Sequence, residues 1–111
     1  MQRYKFVVLS HPTAGREDEY NEWYQNVHLP ELTSIPGIQA AQRFRMEAAL
    51  VEGEAWPYMS IYELETDDVN AVLAQLTGMA ENQMLTMTDA IDLSKVYAVV
   101  YGEFGERVVT T

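Results

Sequence analysis

The stretch from Glu17 to Phe44 constrains the fold of this chain most, because a helical pattern within it is followed at once by a turn and a strand. Placed at 100° per residue, five of its side chains fall within one arc of roughly 140°. In order across that arc they are Trp23, Val27, Tyr20, Tyr24 and His28. Acidic and amide side chains occupy the rest of the circumference. The pattern therefore predicts a helix with a buried aromatic stripe, and it places His28 at the edge of that stripe.

A proline predicts where this helix ends. Pro30 restricts the backbone of Leu29 and disfavours a further regular turn, so we expect the helix to run from Glu17 to about His28. The Ile35-Pro36-Gly37 sequence then predicts a turn into a strand. His28 is therefore expected at a helix end, on the rim of an aromatic wall where a cleft could open.

Four other segments have strand-like composition. Their predicted bounds are Tyr4–Ser10, Ile38–Met46, Tyr58–Leu64 and Val96–Gly102. The first and the last are apolar on both alternating faces, which predicts strands that are covered on both sides. The second has one mainly apolar face and one that carries Arg43. Residues 48–56 between the second and third strands predict a hairpin connection, so these two strands should pair antiparallel.

A second helix is predicted from about Asp67 to Ala80, with Thr66 as its N-cap, because apolar residues repeat there at helical spacing. The order β-α-β-β-α-β with right-handed crossovers is the ferredoxin-like arrangement. The predicted fold class is thus α+β: one domain over residues 1–111 with a four-stranded antiparallel sheet. Two helices cover only one face of such a sheet, so the other face predicts a homodimer that packs sheet to sheet.

Charge and composition exclude several functions. The net charge of −10, from 7 basic and 17 acidic residues, argues against nucleic acid and anionic membranes as partners. The apolar run Phe6–Leu9 is far too short for a membrane span. The absence of cysteine excludes disulfides and thiolate chemistry, and it suits a cytoplasmic protein. His28 and Glu31 are three residues apart but separated by Pro30, and His11 is expected in a distant loop, whereas a metal site needs three or four converging ligands. No cofactor motif is present, so neither metal nor cofactor is predicted. A haem pocket at His28 stays open as an alternative.

Four short motifs carry a resemblance to a known family. They are Asn21-Glu22-Trp23-Tyr24, His28-Leu29-Pro30-Glu31, Ile35-Pro36-Gly37 and Arg43-Phe44. In these motifs, and in its overall layout, the chain resembles the dimeric α+β barrel superfamily and its EthD-like branch. The resemblance implies a dimer through the sheets and a small-molecule pocket between sheet and helices. Some members are cofactor-free monooxygenases, polyketide cyclases, isomerases or dehydratases, and others have no assigned activity.

The resemblance also suggests site residues, each of which has a structural alternative. His28 stands at the family's helix-end histidine and could transfer protons near neutral pH, or it could bond a backbone carbonyl where the helix ends. Tyr24 could orient the imidazole or hold a substrate oxygen, or it could be a core residue. Arg43 could bind an anionic or carbonyl group, or it could face a glutamate or the dimer partner. The predicted substrate contacts, for which core packing is the alternative, are Trp23, Tyr20 and Tyr62.

Two functional hypotheses follow. The first is a cofactor-free enzyme that transfers protons on a small apolar substrate with a polar handle, such as an aromatic or polyketide-like compound. The second is a non-catalytic dimeric module that binds a hydrophobic small molecule or stabilises a partner. The two differ in whether His28 opens into a pocket or is sealed away.

Overall fold

The computed structural model describes residues 1–111, and its elements follow the order β-α-β-β-α-β. The four strands are β1 (Gln2–Pro12), β2 (Ile38–Arg45), β3 (Tyr58–Thr66) and β4 (Ile91–Gly102). The first helix has three consecutive parts, α1 (Glu17–Trp23), a π-helical turn (Tyr24–His28) and α2 (Leu29–Thr33), and the second helix is α3 (Val69–Glu81). The predicted α+β class is confirmed.

The sheet is antiparallel throughout, with strand order β2-β3-β1-β4. The long strand β1 lies in the interior, where Val8 is paired with Ser60 of β3 on one side and with Ala98 of β4 on the other. Strand β2 pairs with β3, as the hairpin connection predicted. This arrangement is ferredoxin-like.

Three strands are longer than the sequence predicted. Strand β1 starts at Gln2 and reaches Pro12, β3 extends to Thr66, and β4 starts at Ile91 rather than Val96. The early part of β4 alternates Ile91 and Leu93 with Asp92 and Ser94, but this short alternation stops at Lys95 and lies outside the predicted strand. It is nevertheless a strand because its backbone joins the ladder, with Ile91 paired to Pro12 across an irregularity in β1.

The prediction that the first helix ends at His28 is wrong, because the helix continues through Pro30 to Thr33. A π-helical turn makes this possible. The N–H of Leu29 donates to the carbonyl of Tyr24, five residues earlier, and this wider turn relieves the clash that a proline ring makes with the carbonyl four residues before it. Pro30 then falls in the first turn of α2, where a missing N–H costs little.

The second helix starts later than predicted, because Asp68 rather than Thr66 is its N-cap. The Asp68 carboxylate accepts a hydrogen bond from the N–H of Ala71 at 3.1 Å. Thr66 instead supports the cap, since its hydroxyl accepts from the Asp68 N–H at 3.1 Å. The turn after the first helix packs against α3: Gly37 has φ +98°, and a Cβ there would lie 2.8 Å from a methyl group of Val72.

The hydrophobic core lies between the helices and one face of the sheet, which we call the helix-side face. Its buried side chains include Tyr20, Tyr24, Leu32, Tyr62 and Leu64. The predicted division of β2 into an apolar and a polar face is wrong at its first residues. A bulge between Ile38 and Ala40 places buried Ile38 on the helix side together with Arg43.

The opposite side of the sheet, the open face, has no helix over it. Several of its large apolar side chains are exposed, including Phe44 at 39%, Tyr97 at 52% and Tyr101 at 62%. The strands β1 and β4 contribute to this face, and their two-sided apolar pattern predicted that another layer covers it. Neither helix is long and apolar enough to cross a membrane.

Candidate functional site

Tyr24 lies at the centre of the predicted site. Its ring is almost fully buried, at 1% exposure, and makes edge contacts with Tyr20 at 5.3 Å and Trp23 at 5.1 Å between ring centroids. The ring of His28 is perpendicular to it at 5.2 Å. The guanidinium carbon of Arg43 lies 4.7 Å from the Tyr24 ring centre. The structure therefore brings together all three residues predicted to act on a substrate, and Tyr24 contacts both of the others.

His28 is the last residue of the π-helical turn, and its environment keeps it neutral. Its ring stacks on Trp23 with 4.6 Å between centroids, and its Nδ1 is buried without a hydrogen-bond partner. Burial lowers the pKa of His28 to about 4, although the nearby Glu31 carboxylate acts to raise it. His28 bonds no backbone carbonyl, so the helix-ending role considered as its alternative is not seen. Single π-helical turns within α-helices occur frequently at functional sites.

A segment between α3 and β4 holds the outer side of this aromatic wall. The Trp23 indole N–H donates to the carbonyl of Thr86 at 2.7 Å. The Glu31 carboxylate accepts from the Thr86 N–H at 2.9 Å and from its hydroxyl at 2.7 Å. Thr86 thus holds both Trp23, which stacks on His28, and Glu31, whose carboxylate acts on the pKa of His28. Sequence reasoning missed Thr86, because it lies in an irregular segment with no periodicity.

Arg43 reaches the site from the sheet. Its guanidinium lies over three tyrosine rings, those of Tyr24, Tyr20 and Tyr58, the last two at 5.3 Å. Nη2 donates to the Asn21 side-chain oxygen at 2.9 Å, and Nη1 donates to the Asn21 carbonyl at 3.4 Å. The Nε atom is buried and has no partner. Neither a glutamate nor any other carboxylate pairs with this arginine.

Hydroxyl groups line the interior beneath the first helix. Tyr20 and Ser10 share a hydrogen bond of 2.6 Å, and burial raises the pKa of Tyr20 to about 12. Burial also raises the pKa of Tyr62, whose hydroxyl lies near those of Tyr24 and Ser60 without reaching hydrogen-bonding geometry with either. Ser10 and Ser60 are the only two buried polar residues. Sequence reasoning missed both, although a serine within an apolar strand was a signal.

Four buried side-chain polar atoms in the chain have no hydrogen-bond partner. Three of them belong to residues of the predicted site: His28 Nδ1, Arg43 Nε and the Tyr62 hydroxyl. The fourth is Nε2 of His11, on the open face. Buried polar groups are almost always paired, so a cluster of unpaired ones calls for an explanation. Arg43 Nε and the Tyr62 hydroxyl can donate, and His28 Nδ1 donates or accepts according to the tautomer of the ring.

A cleft of about 240 Å³ opens beside this interior, at Arg43 rather than at His28. Its lining residues are Asn21, Arg43, Phe44, Arg45 and Tyr58. Other clefts lie near the chain ends, at the Gly37 turn and at the start of α1, and His28 lines none of them. No group of three or more His, Cys, Asp or Glu side chains is placed to hold a metal ion.

Comparisons with known proteins support the fold. No protein-family profile matches the chain, and no curated protein matches it at a significant level. Among solved structures, an EthD family protein from Bacillus halodurans is similar, with 13% identity, a TM-score of 0.62, and coverage of 94% of this chain and 100% of that one. At3g17210 from Arabidopsis thaliana shares 15% identity, with a TM-score of 0.68 and coverage of 95% and 99%. A candidate monooxygenase from Shewanella loihica shares 13% identity, with a TM-score of 0.59 and coverage of 100% and 99%. At these identities the likeness concerns the fold alone, and it confirms the predicted ferredoxin-like α+β fold, which the EthD family protein shares.

Proposed function

We propose that this protein is a homodimeric, cofactor-free enzyme that moves a proton on a small, largely apolar substrate bound between the first helix and the sheet. The observation that carries the proposal is the set of three unpartnered polar atoms on His28, Arg43 and Tyr62. A substrate with one acidic C–H bond and an adjacent oxygen would supply partners for an imidazole nitrogen and for a cation or hydroxyl. The aromatic side chains around Tyr24 would hold its apolar part.

The chemistry assigned to these residues is enolisation. Neutral His28 takes a proton from a carbon next to a carbonyl group. The electron pair of the broken C–H bond moves toward the carbonyl oxygen, and the substrate becomes an enolate. The Tyr24 hydroxyl stabilises the enolate oxygen, Arg43 holds the polar handle of the substrate, and His28 returns the proton to the same or another carbon. With a pKa of about 4, free His28 is a weak base. The negative charge that develops on the substrate raises its basicity during the reaction, as Glu31 already does in part.

The open face supports the dimer. Its exposed aromatic residues would be removed from water if two copies packed sheet to sheet, and a two-fold arrangement is the common outcome for such a surface. A cytoplasmic location is part of the same proposal, supported by the absence of cysteine.

A second candidate is the non-catalytic module that binds a hydrophobic small molecule. Two observations favour it, and both meet the sequence-based criterion of a sealed histidine. His28 lines none of the five clefts near the chain ends, the Gly37 turn, the start of α1 and Arg43, and the stack on Trp23 covers one side of its ring. The two candidates share the binding site and differ only in whether His28 exchanges a proton with the bound molecule.

Hydrogen exchange into a panel of small aromatic and 1,3-dicarbonyl compounds in D2O, followed by NMR, separates the two candidates. We expect wild-type protein to accelerate exchange for at least one compound, and His28→Ala to lose about 100-fold or more of that acceleration. Gln25→Ala is the matched control, because Gln25 lies in the same π-helical turn but is exposed. Binding without exchange, or unchanged exchange in His28→Ala, would favour the binding module.

A further inference from the structure

We propose that the cleft beside Arg43 is a carboxylate-binding subsite, so that the polar handle of the ligand is an anion and the ligand is a small aromatic carboxylic acid. This inference rests on the proposed function, because it assigns the substrate class of the same site. It follows from the pairing of charges, the free donors of Arg43 and the lining of the cleft.

The first argument is the pairing of basic groups. Four of the seven Lys and Arg side chains lie within 4 Å of a carboxylate, and Arg45 is one of them, paired with Glu47 at 3.3 Å. Of the three that do not, Lys95 and Arg107 are exposed to water. Arg43 is thus the only part-buried basic side chain without an anionic partner, in a chain with 17 acidic residues. A desolvated cation usually has a counter-charge, so its absence indicates that a ligand supplies one.

The second argument is the hydrogen-bonding capacity of Arg43. A guanidinium has five N–H donors in a fixed planar fork, and a carboxylate binds two of them along one edge. Asn21 engages one hydrogen on Nη1 and one on Nη2. Nε has no acceptor, so the edge formed by Nε and the adjacent Nη has a free donor. Tyrosine rings stabilise the charge through their faces, but they do not accept the in-plane Nε hydrogen.

The third argument is the lining and the size of the cleft. On the helix side, Tyr58 provides aromatic surface and Arg43 provides positive charge. The other two β2 residues of the lining contribute less, because the Phe44 side chain belongs to the open face and Arg45 is paired with Glu47. The cleft volume of about 240 Å³ is below the roughly 300–1,000 Å³ of sites for drug-sized ligands. This combination fits a single aromatic ring that carries a carboxylate.

Two carboxylates oppose an anion at this cleft, and one of them, that of Glu47, pairs with Arg45 at 3.3 Å. The Glu17 carboxylate accepts a hydrogen bond from the Tyr58 hydroxyl at 3.0 Å, at the rim of the same cleft. Asn21 also donates to that hydroxyl, at 3.3 Å. Because Nε is covered in the structure, the ligand must displace part of this network to reach it. We therefore expect modest affinity, and we expect Glu17→Gln to tighten the binding of an anion by removing a like charge.

The test uses benzoate as the probe and benzamide as its neutral isostere. In ¹⁵N-resolved NMR spectra of the wild-type protein, benzoate is expected to shift the Arg43 Nε–H and Asn21 side-chain amide signals in a saturable way, and benzamide is not. Arg43→Gln is expected to weaken benzoate binding at least tenfold, and Arg43→Lys to recover only part of that loss. Arg107→Gln is the matched control, since Arg107 is also without a carboxylate partner but is exposed.

Three outcomes would overturn the proposal: equal binding of benzoate and benzamide, shifts confined to other surfaces, or full benzoate affinity in Arg43→Gln. If Arg43→Gln fails to fold, the wild-type spectra and Arg43→Lys still decide. The subsite and the proposed function fail separately. Proton exchange without benzoate binding at Arg43 removes the subsite alone, whereas benzoate binding at Arg43 without exchange on any compound leaves the subsite and removes the catalytic role.

Discussion

The two faces of the sheet differ in what each leaves unsatisfied. The helix-side face is covered, yet it contains three of the four buried polar atoms without partners. The open face has only His11 Nε2 of this kind, but it exposes aromatic rings such as those of Tyr97 and Tyr101. One face therefore has unmet hydrogen bonds, and the other has unmet apolar contacts.

The two faces are therefore suited to different binding partners. Unpaired polar atoms in a buried interior are suited to a small molecule that brings its own polar groups. Apolar rings spread over a broad strand surface are suited to another protein surface. Substitutions on each face, compared with controls, test this difference.

The largest expected effect is on the open face. Val99 is half-buried there, opposite Val7 of β1, and Val99→Glu would place an unpaired charge in the middle of the proposed sheet-to-sheet contact. We expect the mass from light scattering to fall from about twice 12.7 kDa to that of one chain. Val51→Glu, at an exposed position between β2 and β3, should leave the dimer intact. A dimeric Val99→Glu protein would contradict this assignment of the open face.

The next effect concerns the helix side and pH. The pKa of His28 is about 4 in the folded chain, below the usual 6.5, so the unfolded chain takes up a proton first as pH falls. The associated stability is fully present above pH 6.5 and is lost as pH falls toward 4, by up to about 3 kcal/mol. Urea unfolding of the wild type and His28→Gln at equal protein concentration measures this difference, because other titrating groups are common to both. Parallel pH profiles would show that burial does not hold His28 neutral.

A smaller effect on stability is expected at Ser10 and Tyr20, two helix-side residues whose hydroxyl groups are hydrogen-bonded to each other. Ser10→Ala leaves the Tyr20 hydroxyl buried without its 2.6 Å partner, which should lower the free energy of unfolding by about 1–3 kcal/mol. Adding Tyr20→Phe should recover part of that loss. Ser94→Ala removes an exposed hydrogen bond of the same length to Asp92 and should cost under about 0.5 kcal/mol. Equal costs for Ser10→Ala and Ser94→Ala would mean that water reaches Tyr20.

The smallest effect should be at the charged margin of the open face. Lys5 and Glu63 lie there 3.9 Å apart, and both are exposed. A double-mutant cycle with Lys5→Gln and Glu63→Gln should give a coupling of about 0.5 kcal/mol that declines with salt. A coupling above about 2 kcal/mol would mean that a partner covers this pair as well.

The fold was predictable from the sequence because its signals are local. The stripe that contains Tyr20, Trp23 and Tyr24 follows from helical periodicity over two turns, and the strand pattern follows from alternation. Two features were not predictable. The π-helical turn that carries the helix past Pro30 depends on a backbone bond to the fifth residue, and the bulge after Ile38 inserts one residue into an alternation of period two.

The candidate site was predictable in part for the same reason. Trp23 and Tyr24 are adjacent and His28 lies four residues after Tyr24, so these contacts follow from spacing. The stack of Trp23 on His28 does not, because an α-helix would place the two residues at opposite ends of the stripe. The approach of Arg43 to Tyr24 requires the strand order and the position of the bulge. Thr86 bonds Glu31 across 55 positions of sequence, from a segment without periodic pattern, and only the folded chain shows that contact.

The π-helical turn makes the arrangement of the site depend on the number of residues in the first helix. Such a turn holds one residue more than an α-helical turn, so the chain between Tyr24 and Leu29 contains a surplus residue. Deleting exposed Asn26 would remove none of the aromatic, basic or hydroxyl side chains of the site. It would nevertheless bring the Pro30 ring against a backbone carbonyl and change the rotation of Leu29 and Leu32 relative to Trp23 and Tyr24. A chain shorter by this one residue would retain the side chains of the site and lose the register that assembles them.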